Sequence, residues 1–198
     1  DFEGRNESLA TRTRDILCAI IEDRVLHYRF LNTLSMLELM GSTRIAFTQR
    51  FPDVDQETMK HMSEETRHAF FFKRQASRLA GREIAYTSSE LLAPSSARMY
   101  FRRLENTIAR HFARHPRGGR VIYLFMSLTI EFRAVWAYRI YNAQLQQHGV
   151  SLSLNSLLAE EHGHLSQMLS CLDNEGVLST GLIGWLNEAE TASFGRFL

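Results

Sequence analysis

Hydrophobic residues recur at helical spacing along most of the chain, and the few glycines and prolines divide it into long stretches. Between about residues 11 and 51 the only such interruption is Gly41. Apolar side chains three or four positions apart in this stretch predict one long helix. Phe51-Pro52-Asp53 should end it, because proline cannot continue a helix. The apolar positions are Leu31, Leu34, Leu37 and Ile45.

The next breaks predict a second helix and a long connection. Asp53 and Gln56 have the spacing of a capping box, so a helix should begin there and end at Ala80-Gly81. The connection that follows, over about residues 82–119, is long enough to carry its own helix after Pro94.

The second half of the chain repeats the alternation of long helix and short break. A third main helix is predicted for about residues 120–147 after Gly118-Gly119, and His148-Gly149 should end it. A fourth covers about 153–174, and a shorter one about 182–197. Because short turns join antiparallel neighbours, these elements predict two helical hairpins linked by a long helical crossover and followed by a short C-terminal helix.

Composition supports this all-α interpretation and excludes other classes. Of 198 residues, 44% are hydrophobic, 23% are charged and three are proline, which excludes disordered and collagen-like chains. No repeat or linker divides the sequence, so residues 1–198 are expected to form a single domain. Cys18 and Cys171 are too far apart for a Cys-x-x-Cys metal motif, and no stretch is expected to span a membrane. The net charge of +1 indicates no nucleic-acid preference, and a soluble cytoplasmic protein is expected.

Two Glu-x-x-His sequences supply the first candidate chemistry, Glu65-Thr66-Arg67-His68 and Glu161-His162-Gly163-His164. Their i, i+3 spacing places both side chains on one helical face, where they can converge on one ion. Two further acids, Glu38 and Glu131, stand in uncharged helical stretches, where a buried carboxylate is costly unless it is paired or binds metal. Taken singly, each glutamate is also compatible with a surface position or with a neutral buried acid.

The four glutamates are placed symmetrically about the predicted turns. Facing residues of an antiparallel hairpin lie at one height, here about 20 Å from each turn. The chain thus offers four carboxylates and two imidazoles, which suit two divalent transition ions. Glu38 and Glu65 are equidistant from Phe51-Pro52, and Glu131 and Glu161 from residue 146, close to His148-Gly149.

This ordered set resembles that of the ferritin-like di-iron carboxylate superfamily, in which two helices each give a glutamate and two each give Glu-x-x-His. The resemblance covers about residues 24–173. It implies a ferritin-like four-helix bundle that binds two iron ions, with manganese as an alternative at one or both positions. The implied metal ligands are Glu38, Glu65, His68, Glu131, Glu161 and His164.

Other residues near the motifs are assigned less specific roles. Glu64 and Glu160 precede the motif glutamates and are predicted to orient the histidine of the opposite hairpin, the alternative being two solvated glutamates. His61 and His162 are expected to be ordinary helix residues. An apolar substrate pocket is predicted beside the ligands, with core packing as its alternative. The pocket residues are Leu34, Gly41, Phe72, Ala134, Val135, Tyr138 and Met168.

Departures from individual branches of the superfamily narrow the expected chemistry. Arg133, Ala134 and Val135 stand where rubrerythrin-like peroxidases usually carry a further glutamate, and Phe72 stands where ribonucleotide reductase small subunits carry a radical tyrosine. The crossover is longer than in storage ferritins. The chain is therefore most similar to small di-iron oxidases and oxygenases, including aldehyde-deformylating oxygenases. This similarity implies O2 activation, oxidation of a small apolar organic substrate and a separate electron donor.

The crossover is the most basic part of the chain. Its apolar residues predict an amphipathic helix with arginines on the outer face. That face is either solvated, with scattered ion pairs, or a dock for an anionic partner such as acyl carrier protein, coenzyme A or RNA. The arginines are Arg98, Arg102, Arg103, Arg110, Arg114, Arg117 and Arg120, and Glu105 is the single acid among them.

Two alternatives to an oxygenase stay open. One is a ferroxidase or metal-storage protein of the same fold, which self-assembly into a large cage would favour. The other is a metal-free helical module that binds an anionic partner through the crossover. A monomer or a homodimer would suit the oxygenase.

Overall fold

A computed structural model describes residues 2–48, 54–115 and 118–198 of the chain. These residues form eight α-helices and no β-strand, which confirms the all-α class. The helices are α1 (Phe2–Arg5), α2 (Glu7–Glu22), α3 (Arg24–Thr48), α4 (Gln56–Ala80), α5 (Pro94–His111), α6 (Gly118–Gln147), α7 (Asn155–Asn174) and α8 (Thr180–Gly195).

The chain divides into two compact units, each built around one helical hairpin. The α3/α4 unit comprises residues 18–97, and the α6/α7 unit comprises residues 1–17 and 98–198. Packing of α3 along α4 and of α6 along α7 confirms the two predicted hairpins. The ferritin-like bundle and the single domain over residues 1–198 stay predictions.

Glycine follows the ends of three helices, as the sequence predicts. Gly81, Gly149 and Gly176 have φ angles of 74°, 65° and 67°, a left-handed conformation that glycine adopts without the steric cost of a Cβ atom. The backbone N–H of Gly81 donates to the carbonyl of Arg78 at 3.2 Å and so closes the last turn of α4. These three ends are therefore fixed by local sequence.

The predicted first long helix is wrong in one respect, because it is interrupted at Asp23. The carboxylate Oδ1 of Asp23 accepts hydrogen bonds from the backbone N–H groups of Val25 at 2.7 Å and Leu26 at 3.0 Å. This side-chain cap begins a new helix, so α2 and α3 are separate elements without any glycine or proline between them.

The predicted capping residue of α4 is also wrong. Asp55 caps the helix, and its carboxylate accepts a hydrogen bond from the backbone N–H of Thr58 at 2.7 Å. An aspartate two residues further along thus provides the same bond that the sequence analysis assigned to Asp53. Asp53 and the predicted turn at Phe51-Pro52 lie outside the described residues.

The connection between α6 and α7 turns at His148-Gly149, as predicted, where the backbone N–H of Val150 donates to the carbonyl of Leu145 at 2.9 Å, and it then runs back along α6. The side chain of Asn142 accepts a hydrogen bond from the backbone N–H of Leu154 and donates one to Asn155, both at 2.9 Å. Helix α7 therefore begins beside Asn142, well before α6 ends. The pairing of Asn142 with Leu154 is centred on residue 148, within the predicted turn.

Residues 84–92 of the crossover are not helical but are held against α3 by buried polar side chains. Asn32 Nδ2 donates to two carbonyls of this segment, both at 2.9 Å. Thr33 Oγ1 donates to the carbonyl of Leu92 at 3.0 Å and accepts from its backbone N–H at 2.8 Å. Helix α3 thus supplies partners for backbone groups that would be costly to bury unpaired.

Helix α5 is amphipathic, as predicted. Phe101, Leu104, Ile108 and Phe112 are buried, and the Phe112 ring stacks on that of Phe125 in α6 with centroids 4.9 Å apart. The described arginines of the basic segment are all exposed, and Arg117 lies outside the described residues. The exposed arginines are Arg98, Arg102, Arg103, Arg110, Arg114 and Arg120.

Helix α6 is more apolar than the sequence analysis allows. Residues 119–147 are long and apolar enough to cross a membrane by length and composition, contrary to expectation, but 61% of the most apolar window is buried. That burial fits the core helix of a soluble protein. The helix begins at Gly118 and so includes both glycines predicted as a break.

A buried ion pair joins α6 to α8 within the α6/α7 unit. Arg133 is 4% exposed and Glu190 is 0% exposed; Nε of Arg133 donates to Glu190 Oε1 at 2.8 Å, and Nη2 donates to Oε2. The Tyr100 hydroxyl donates to Glu190 Oε1 at 2.6 Å, and Arg133 Nη2 also donates to Asn6 Oδ1 at 2.6 Å. Burial raises the pKa of Tyr100 well above its usual value, which keeps the hydroxyl a donor.

Glu190→Gln should lower the free energy of unfolding by about 3–5 kcal/mol, because it leaves the Arg133 charge buried without its counter-ion. Glu188→Gln is the matched control on the same helix. Its side chain is 70% exposed and pairs with Arg5, so a change of about 0–1 kcal/mol is expected. Urea denaturation followed by circular dichroism measures both. Equal effects of the two substitutions would contradict the importance of the buried pair.

Candidate metal centre

Glu65 lies between two histidines on the buried face of α4. His61, Glu65 and His68 are separated by four and three residues, which places them on one side of the helix, and all three are buried. Oε1 of Glu65 is 3.4 Å from Nε2 of His61 and 3.9 Å from Nδ1 of His68. One carboxylate oxygen therefore has an imidazole nitrogen on either side.

Helix α3 contributes a second buried carboxylate and the space that Glu65 occupies. Glu38 is buried in the middle of α3. Gly41 follows it by three residues, and a Cβ atom at Gly41 would lie only 3.2 Å from Oε2 of Glu65. Glycine at this position thus leaves room for the carboxylate of Glu65, a predicted ligand.

The α6/α7 unit has a matching set. Glu131, Glu161 and His164 are buried. Nδ1 of His164 is 2.9 Å from Oε2 of Glu161 and 3.8 Å from Oε1 of Glu131. Here again an imidazole nitrogen lies among buried carboxylate oxygens, and both Glu-x-x-His motifs present Nδ1 to their glutamates.

These buried histidine and glutamate groups could hold a metal ion. Imidazole nitrogen and carboxylate oxygen are ligands for iron, manganese and zinc. Buried carboxylates are also costly without a compensating positive charge, so the donor set fits the metal that the superfamily resemblance implies. The residues are Glu38, His61, Glu65, His68, Glu131, Glu161 and His164.

His61 is the residue that the sequence analysis missed. It was assigned no special role, yet it is 2% exposed and contacts Glu65. The available signal was its position four residues before Glu65, on the same helical face. His162, given the same assignment, is exposed and lies 3.0 Å from Nη2 of Arg139, as expected for an ordinary helix residue.

The predicted supporting residues lie near the ligands in sequence but are less buried. Glu64 and Glu160 are half-buried, and Oε1 of Glu64 is 3.9 Å from Nη2 of Arg67 on the same helix. Their predicted action on the opposite hairpin's histidine stays a prediction.

Most residues of the predicted pocket are fully buried in their own units, and two are half-buried. Burial of this kind is expected of a pocket lining and of a packed core alike, so the pocket stays a prediction. The buried residues are Leu34, Phe72, Val135, Tyr138 and Met168, and the half-buried ones are Gly41 and Ala134.

Comparison with known proteins gives no match to a family model, to a curated protein or to a solved structure. The resemblance to the ferritin-like di-iron superfamily therefore depends on the residues described above.

Glu65→Ala and Glu161→Ala should each reduce the metal content more than Glu64→Ala and Glu160→Ala, the adjacent controls. The reason is that only one glutamate of each adjacent pair is buried beside a histidine. Metal content is measured by inductively coupled plasma mass spectrometry, and the metal-induced rise in melting temperature provides a second readout. Equal losses within a pair would show that the ligands are wrongly assigned.

Proposed function

We propose that the protein is a cytoplasmic non-haem di-iron oxidase or oxygenase that uses O2 to oxidise a small, apolar organic substrate, with manganese as an alternative metal. The observation that carries the proposal is that each hairpin buries two carboxylates and a histidine, with an imidazole nitrogen 3.4 Å from Glu65 in one hairpin and 2.9 Å from Glu161 in the other. Together the carboxylates supply four negative charges, which balance two divalent cations. The proposed ligands are Glu38, Glu65, His68, Glu131, Glu161 and His164.

The bound ions would supply the one chemistry that the side chains lack, which is the activation of O2. The chain's own residues fix the ligand geometry. Gly41 lets the Glu65 carboxylate approach α3 closely, and Nδ1 of His164 lies 2.9 Å from Oε2 of Glu161, so the fold brings the donor atoms of the second motif together.

Apolar side chains flank the proposed ligands at equivalent places in the two units. Phe72 follows His68 by four residues, and Met168 follows His164 by four, so each lies one helical turn beyond its histidine. Both are buried. An apolar environment of this kind excludes water and favours an organic substrate over an ionic one, which supports an oxygenase more than a ferroxidase or a storage protein.

The choice between an oxygenase and a ferroxidase or storage protein is tested with protein that has been loaded anaerobically with Fe(II). This protein is then exposed to O2 in the presence of medium-chain aldehydes, alcohols and aromatic amines. Two metal ions per chain and O2 uptake coupled to an organic product are expected. Ala134→Leu should keep metal and O2 uptake but lose coupled oxidation, because the added bulk fills the proposed pocket. Ala143→Leu, at an exposed position of the same helix, is the control.

Folding must be compared first, since overpacking costs about 1–3 kcal/mol. Iron oxidation without any organic product would favour the ferroxidase or storage alternative. Wild-type protein that binds no metal would favour the helical module. Unchanged turnover in well-folded Ala134→Leu would place the pocket elsewhere.

A second function, docking of an anionic partner on the outer face of α5, is favoured by one observation. Arg102, Arg103, Arg110 and Arg114 are exposed and form no ion pair with any residue that the structure describes. Unpaired guanidinium groups on one face present donors suited to phosphate or carboxylate. Acyl carrier protein, coenzyme A and RNA all offer such groups, and an electron donor or substrate carrier for the oxygenase would use the same surface.

The double variant Arg102→Gln/Arg110→Gln should weaken binding of the anionic partner at least about tenfold at low salt, because two charge-assisted contacts are removed. Binding of fluorescent coenzyme A, acyl carrier protein and an RNA oligonucleotide is measured by anisotropy over a range of salt concentrations. Arg12→Gln/Arg14→Gln, at exposed positions of α2, is the control. Failure of all three probes to bind, or equal loss in the control, would contradict docking at α5.

A further inference from the structure

We infer that His61 is a metal ligand, so that the α3/α4 hairpin supplies two histidine ligands where the Glu-x-x-His pattern provides one. The inference rests on the proposed metal centre and adds a residue that the superfamily resemblance does not supply. Glu65 would then be flanked by two nitrogen donors of the same helix.

The position of His61 is the first argument. The side chains of His61, Glu65 and His68 follow one another at intervals of four and three residues, and their directions on the helix differ by about 60° at most. All three are buried, His61 most completely. A histidine that merely occupies a helix surface has no reason to be buried beside an acid in this way, as the exposed His162 shows.

The distance between His61 and Glu65 is the second argument. Two ligands of one ion, with bonds of about 2.1 Å and angles of about 90–109° at the metal, lie about 3.0–3.4 Å apart. Nε2 of His61 is 3.4 Å from Oε1 of Glu65, which agrees with that range. A hydrogen bond between nitrogen and oxygen is shorter, at about 2.9–3.0 Å. The geometry therefore suits two donors that share an ion.

The nitrogen that each ring presents is the third argument. His68 directs Nδ1 towards Glu65 Oε1, whereas His61 directs Nε2 towards the same oxygen. A ring one turn before the glutamate reaches it with its far nitrogen, and a ring one turn after reaches it with its near nitrogen. Both rings thus present a nitrogen to the same carboxylate oxygen, one from each side of Glu65 along the helix.

The additional imidazole makes the two hairpins different as sources of ligands. The α3/α4 hairpin offers two nitrogen donors and two carboxylates, while the described ligands of the α6/α7 hairpin are Glu131, Glu161 and His164, with one nitrogen donor. The further nitrogen donor favours iron over manganese, since imidazole suits iron and carboxylate suits manganese.

Cobalt substitution tests this inference without reference to catalysis. In Co(II)-loaded protein each coordinated imidazole gives one strongly shifted N–H proton signal that disappears in deuterated water. Wild-type protein should show three such signals, from His61, His68 and His164. His61→Gln should show two and should bind one of its two ions at least about tenfold more weakly, a loss no smaller than that caused by removing an outer partner of a ligand. His162→Gln should match wild type.

The outcomes separate the inference from the proposed function. Two signals in wild-type protein that holds two cobalt ions would overturn the role of His61 and leave the metal centre intact. Wild-type protein that binds no cobalt, iron or manganese would overturn both. Should His61→Gln not fold, the count of signals in wild-type protein decides the question by itself.

Discussion

Burial of ionised carboxylates is the constraint on which the rest of this structure depends. Taking a carboxylate out of water costs several kcal/mol, and the cost must be met by a nearby positive charge and by hydrogen bonds. Within the α6/α7 unit Glu190 meets it through Arg133, Tyr100 and the surrounding helices. The motif glutamates lie instead beside imidazoles, and a bound cation would supply the balancing positive charge. Buried Glu190 therefore contributes to stability, and the buried glutamates of the two hairpins provide the proposed chemistry.

The helix ends that glycine determines agree with the sequence prediction. The helix starts that side-chain hydrogen bonds determine do not. Gly81, Gly149 and Gly176 end helices because their φ angles are positive. The Asp23 carboxylate caps α3 and so interrupts the predicted helix. An aspartate on a helix surface need not form such a cap. The start of α7 depends on Asn142, which contacts residues twelve and more positions away. Contacts of that kind have no local signature in a sequence.

The candidate site shows the same division. The motif glutamates could be predicted to be buried, because uncharged stretches and matched spacing distinguish them from surface acids, and the structure buries all four. His61 differs from His162 in its helical position, four residues before a motif glutamate and on the same face, and only that position could have distinguished it. The pairing of Arg133 with Glu190 could not be predicted, because 57 residues separate the two partners. The sequence does not show which distant helix faces pack together.

Segment 84–92 should tolerate insertions and deletions poorly, although it has no regular secondary structure. Loops without regular structure usually accept insertions, deletions and proteolytic cuts. Here the carbonyls and an amide of the segment are bonded to Asn32 and Thr33, so adding or removing one residue would move those groups away from their partners on α3. Opening the segment would also leave buried polar side chains of a core helix without partners, which couples its local unfolding to that of the hairpin. In hydrogen exchange and in evolution, these residues should behave as part of α3 and not as a loop.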